Sequence, residues 1–153
     1  MAAGAAVGKM VRPPWLALVL AFGSHFLLDT IPHLDSHGLF GVKGRPTLGE
    51  GLAGLFDLLI GIALVILAVR RQTGRRLMIL AAFSAILIDL VDNIPPWGTW
   101  FRAWPGTSWL SSFHHGIQHN VTPADWPLGF GTQIAVVAIA LFVLRSRKPR
   151  VPA

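Results

Sequence analysis

Residues 51–76 read GLAGLFDLLIGIALVILAVRRQTGRR: nineteen positions with a single carboxylate, Asp57, and then four arginines within seven. A helix of nineteen residues rises about 28 Å, close to the roughly 30 Å hydrocarbon thickness of a bilayer. The stretch therefore reads as a transmembrane helix closed by a basic cluster. Three further apolar segments of similar length follow the same reading, from Pro14 to Ile31, Leu77 to Ile94 and Leu128 to Leu144. Composition agrees, because 53% of the 153 residues are hydrophobic, only 13% are charged and the mean hydropathy is +0.58. A soluble domain carries about a quarter charged residues, so this chain has too little charge to cover a soluble globule. Cysteine is absent, which excludes a disulfide framework, a thiolate metal site and a cysteine nucleophile. The expected fold is all-α. It is one membrane domain over 1–153, a four-helix bundle with spans 14–31, 51–69, 77–94 and 128–144 and outer loops 32–50 and 95–127.

Charge fixes the expected orientation. Lys9 and Arg12 precede the first span, Arg70, Arg71, Arg75 and Arg76 separate the second from the third, and Arg145, Arg147, Lys148 and Arg150 follow the fourth. Four crossings put all three clusters on one side and leave only Lys43, Arg45 and Arg102 opposite, so both termini are expected to be cytoplasmic. The high isoelectric point thus reflects membrane orientation rather than a nucleic-acid partner. Ser24, His25 and Asp29 make the first span too polar for a signal-peptide core, and it is expected to be retained. The Ala/Gly-rich N-terminus and the basic tail are expected to fray.

In this frame every histidine and every carboxylate falls in or beside the extracytoplasmic half. Three clusters carry the candidate chemistry. His25 and Asp29 are four apart on one helical face, and Pro32 closes that helix before His33, Asp35 and His37, whose alternation puts them on one side if the stretch is extended. Asp89 and Asp92 share a face at the end of the third span, where a cation would relieve their mutual repulsion. His114, His115 and His119 form the densest group of imidazoles, with Gly116 between them. Donors limited to nitrogen and oxygen favour zinc, manganese, iron or nickel. Asp57, nearly two turns inside its span, admits three roles: ligand, partner orienting a histidine, or general base. Five of the six tryptophans, Trp100 and Trp104 among them, lie between the third and fourth spans, as in an interfacial belt that could also guide an amphiphilic substrate.

Ser24-His25-x-x-x-Asp29 with Pro32 nearby, together with His114-x-Gly116-x-x-His119, resembles the signatures S-H-x-x-x-D and H-R-G-x-T-H-S of the prokaryotic membrane-bound metal-dependent hydrolase family. His25, Asp29, His114 and His119 match; His115, Gln118 and Asn120 replace the arginine, threonine and serine, and Asp89 and Asp92 stand loosely for a D-x-D element. The two signatures also occur here in reversed order. The resemblance implies a metal-dependent hydrolase of a prokaryotic inner membrane.

The residues by themselves lead to a similar expectation. His25, Asp29, Asp89, Asp92, His114 and His119 would hold one or two divalent cations, zinc foremost, with His33, Asp35 and His37 as outer candidates. Asp57 or His115 would act as base or transition-state stabiliser, and Trp100 and Trp104 would receive a lipid-like ester or phosphoester at the outer membrane surface. Ser111 and Ser112 lack a nucleophile elbow, which argues against serine catalysis. The alternative is a non-enzymatic metal-binding or transport protein, although the inner halves of the spans hold no ionisable residue to pass an ion onward. A bis-histidine haem would need a second histidine within a span, and only His25 lies in one.

Overall fold

The computed structural model of the chain describes residues 1–35 and 47–146. Among them are eight α-helices: α1 (Ala2–Met10), α2 (Pro14–Asp29), α3 (Leu48–Val69), α4 (Arg75–Ser84), α5 (Leu87–Asn93), α6 (Trp97–Ala103), α7 (Ser108–Ile117) and α8 (Trp126–Arg145), with a 3₁₀ turn at Pro123–Asp125. Apart from one isolated bridge between His33 and Asn120 the described residues contain no β-structure, so the fold is all-α. Two helices, α3 and α8, are long and apolar enough to cross a membrane; α2 is a shorter apolar helix.

Local chemistry explains the boundaries. Helix α3 starts three residues before the expected Gly51, because Thr47 and Glu50 form a capping box: the Glu50 amide donates to Thr47 Oγ1 at 3.1 Å and the Thr47 amide to Glu50 Oε2 at 3.3 Å. Gly74, at φ 77°, makes the left-handed turn from which α4 departs. The expected span 77–94 is not one helix. It breaks after Ser84, where the Ile86 amide tightens onto the Phe83 carbonyl at 3.1 Å and Ile86 leaves helical geometry at φ −117°, ψ 7°. Pro95 and Pro96 then end α5, and the expected outer loop 95–127 is itself largely helical, containing α6 and α7.

The largest departure is at the N-terminus, which was expected to fray and instead forms α1. Its Gly4 and Gly8 face α4 so closely that a Cβ at Gly4 would lie 2.5 Å from Ala85 Cβ and 2.6 Å from the Ala81 carbonyl oxygen. Glycines four apart on one helix, set against Ala81 and Ala85 on another, let two backbones approach where larger side chains would hold them apart. Ala5, Ala6, Val65, Val69, Met78, Ala82, Ala140 and Leu144 complete the core at this end. Lys9 is correspondingly buried rather than a flanking charge. Its ammonium donates to the carbonyls of Val143 (2.9 Å), Leu144 (2.7 Å) and Ser146 (2.5 Å), three groups that the end of α8 leaves without helical partners.

At the other end of the bundle the chain is tied by backbone bonds. The His119 amide donates to the Asp29 carbonyl (2.8 Å), the His33 amide to the His119 carbonyl (3.1 Å) and the Val121 amide to the His33 carbonyl (2.9 Å). Helix α8 clamps the same strip, with Gln133 Nε2 donating to the Leu34 carbonyl at 2.8 Å and the Thr132 hydroxyl to the Pro32 carbonyl. Segments far apart in sequence thus bring the end of α2 against the end of α7.

Candidate metal centre

Helix α2 buries Ala17, Ala21, His25 and Asp29 at four-residue spacing, so one stripe runs from apolar packing into an imidazole and a carboxylate. Helix α7 buries Ser111 and His114, three apart, and turns Trp109, Phe113 and His115 outward. Where the two stripes meet, His25 Nε2 and His114 Nε2 are 3.1 Å apart. Asp29 Oδ2 lies 3.2 Å from the first nitrogen and 3.3 Å from the second. From α5, Asp89 Oδ1 reaches to 3.5 Å of both.

Two adjacent imidazole nitrogens cannot both donate to each other: without a cation one ring's N–H donates to the other's lone pair or to Asp29. Asp29 Oδ2 is buried and makes no hydrogen bond of good geometry, although both nitrogens are within reach. Donors around a zinc-like ion at about 2.0–2.2 Å are separated by about 3.3–3.6 Å in a tetrahedron, and His25 Nε2, His114 Nε2 and Asp29 Oδ2, 3.1–3.3 Å apart, have the spacing of co-ligands around one point. The residues fit a divalent cation. His25, Asp29 and His114 form its tightest set.

Asp92 stands apart from the first donor group. It is fully buried, but its Oδ2 sits 3.3 Å from His114 Nδ1, on the opposite edge of the ring from the shared point, so it does not face the same cation as His114 Nε2. It accepts from Ser111 Oγ, 3.0 Å from each carboxylate oxygen, and Arg102 Nη1 lies 3.4 Å from its Oδ1 while also donating to its main-chain carbonyl. His115 Nε2 is 3.1 Å from Asp92 Oδ2. Asp92, His114 and His115 thus make a second group of possible ligands that shares His114 with the first. A carboxylate on Nδ1 fixes the ring and the tautomer, leaving Nε2 to bind a metal. Burial alone would lower the pKa of His114, but the Asp29 and Asp92 carboxylates beside it and the charge of Asp89 outweigh burial and raise it above the ordinary histidine range.

The remaining expected site residues lie elsewhere. His119 is exposed and joins through its backbone, its ring belonging to neither donor group. His33 turns Nδ1 to the Ile31 carbonyl at 2.9 Å, and neither it nor Asp35 is in a donor group. His37 lies outside the described residues. Asp57 is exposed on the half of α3 that packs on little else and is in neither group. Trp100 and Trp104 are exposed at 72% and 63%, on and just after α6. Sequence reasoning passed over Ser111 and Arg102 as partners of Asp92. Ser111 stands three residues before His114 on a helix, a spacing that could have flagged it; Arg102 gave no comparable signal.

Compared with known protein families, curated proteins and solved structures, the chain matches none.

Proposed function

We propose that the protein is a membrane-embedded, metal-dependent hydrolase acting on an ester or phosphoester of a lipid-like substrate. The observation that carries the reading is the convergence of His25 Nε2, His114 Nε2 and Asp29 Oδ2 within 3.1–3.3 Å of one another, with Asp89 Oδ1 3.5 Å from both nitrogens. His25, Asp29 and His114 would hold a divalent cation, zinc foremost, which would supply Lewis acidity toward an ester or phosphoester oxygen and toward water. The chain's own residues do the rest. Asp92 holds His114 in register, and His115, half exposed and bridged to Asp92, is placed to exchange a proton with solvent. In this reading α2, α3, α4 with α5, and α8 are four crossings, the arginine clusters are cytoplasmic, and the site opens to the extracytoplasmic side of a prokaryotic inner membrane.

Two features support a lipid-like substrate. Trp97, Trp100, Trp104, Trp109 and Trp126 are exposed on the stretch 97–126 that also carries His114, and an apolar groove of about 290 Å³ runs along α1, α2 and α8. Leu28 lines that groove together with Ala6, Val7, Val136 and Ala140, an apolar lining suited to an acyl chain.

The test is elemental analysis of the detergent-purified protein followed by assay on phospholipids, lipid phosphates and simple esters. Turnover is expected to vanish with chelator, return with added metal and be lost in His114→Ala. Full activity after exhaustive chelation would exclude the reading. The second reading is a metal-binding protein without turnover, in which Asp89 would close the site as a fourth donor, the usual structural arrangement. That reading predicts stoichiometric metal and no hydrolysis across the panel.

A further inference from the structure

At the end of the bundle opposite the histidines, α1, the turn between α3 and α4, and the close of α8 enclose a pocket of about 390 Å³. Lys9, Arg71, Gln72, Thr73, Arg145 and Ser146 line it. Lys9 and Gln72 turn their donors to main-chain carbonyls of α3, α8 and Ser146. Arg71 and Arg145 are different: both are exposed, and neither makes a hydrogen bond or ion pair with any described residue. Arg70, Arg75 and Arg76 stand beside them in sequence, and among the described residues no carboxylate lines the pocket. The closest carboxylate to Arg70 along α3 is Asp57, about 20 Å away by helical rise.

We propose that this pocket is a phosphate site, separate from the metal centre and independent of the hydrolase reading. It takes the phosphate of an anionic lipid headgroup or a soluble phosphate. Two guanidinium groups on one pocket offer planar forks that match phosphate oxygens in pairs. The volume lies within the range of small-ligand pockets. The buried Lys9 ammonium, also in the lining, adds positive potential to the pocket. Basic pockets between helices at a membrane face hold lipid phosphates by the same chemistry.

The test is native mass spectrometry of the full chain in detergent, titrated with phosphatidylglycerol or phosphatidylcholine of the same acyl chains, with and without millimolar inorganic phosphate. Phosphatidylglycerol is expected to bind in preference to phosphatidylcholine, and Arg71→Gln/Arg145→Gln to weaken it about tenfold or more. Thr73→Trp, which fills the pocket without changing charge, is expected to weaken it comparably, and Arg76→Gln, outside the lining, to leave it within about twofold. Thermal midpoints matching the wild type show that the variants are folded. Persistence of the phosphatidylglycerol adduct in excess inorganic phosphate identifies the lipid as the source, and its displacement identifies a soluble phosphate. Equal affinity for the two lipids, or wild-type binding in both the double variant and Thr73→Trp, overturns the proposal.

Discussion

Asp92 Oδ2 and His114 Nδ1 face each other at 3.3 Å with both side chains sealed from solvent, on the edge of the imidazole away from His25. The contact gives the buried carboxylate a structural use and leaves His114 Nε2 directed at the shared donor point. Carboxylates in this position typically contribute a factor of about 10–100 to metal affinity. Asp92→Asn is therefore expected to weaken metal binding by about that factor while His25, Asp29 and Asp89 remain. Competition against a fluorescent chelator measures it; affinity equal to wild type would show that the contact does not support the metal.

The N-terminal helix yields a stability prediction. A Cβ at Gly4 meets both Ala85 Cβ and the Ala81 carbonyl oxygen, and the latter is main chain, which moves only if α4 moves. Gly4→Val is expected to lower stability by about 1–3 kcal/mol, the usual cost of overpacking. Gly51→Val, where a Cβ meets nothing within 4 Å, serves as the control for the β-branched residue in a helix. Thermal unfolding in detergent of the two variants separates a helix packed in the bundle from a frayed end, for which both substitutions would be harmless.

Much of the fold was legible because apolar runs declare helices by length and composition. Leu48–Val69 and Trp126–Arg145 follow directly from that signal, and the Thr47/Glu50 pair marks a start that could have been placed from sequence. Helix α1 was not legible: Ala and Gly leave no hydrophobic stripe to read, and their value lies in close approach to Ala81 and Ala85, which only the assembled bundle reveals. At the site, the i, i+4 pair His25 and Asp29 could be read from helical geometry. The spacing Asp89-x-x-Asp92 suggested two equivalent ligands, yet the two carboxylates sit on different edges of His114. A shared helical face narrows direction to about a third of the circumference and does not decide which side of a partner's ring each group meets.

Protonation of His114 gives a pH prediction. Its raised pKa means that the metal-free folded state binds a proton more tightly than the unfolded chain, whose histidine pKa is about 6.5. That contribution to stability is fully present below the unfolded value and is lost as pH rises through the folded one. Chelated protein is therefore expected to lose thermal stability on going from mildly acidic to alkaline buffer. Metal affinity should change in the opposite sense, because a cation at Nε2 must displace the proton, so binding strengthens with rising pH and releases protons to the buffer. Calorimetry in two buffers of different ionisation enthalpy reads that release. Metal binding without proton uptake by the buffer across the acidic range would contradict it.

The two carboxylates that face the shared point differ enough to be told apart. Asp29 is 8% exposed, its Oδ2 is 3.2 and 3.3 Å from the two histidine nitrogens, and its main-chain carbonyl is held by the His119 amide, so both its ends are fixed. Asp89 lies at 3.5 Å from both nitrogens, with a side chain 42% exposed, and is the donor nearest solvent. A fixed, buried donor has already lost the side-chain freedom that a mobile one must surrender on binding, and it holds a cation away from competing water. Asp29→Asn is therefore expected to cost more metal affinity than Asp89→Asn, by about tenfold or more. If the site is hydrolytic, Asp89→Asn should retain metal at stoichiometric level and change turnover instead, since that side chain is the one of the two open to solvent. Metal content by elemental analysis and hydrolysis on the same preparations distinguish the two effects. Equal loss of metal from both variants would make Asp89 a full ligand of a closed site and favour metal binding without catalysis.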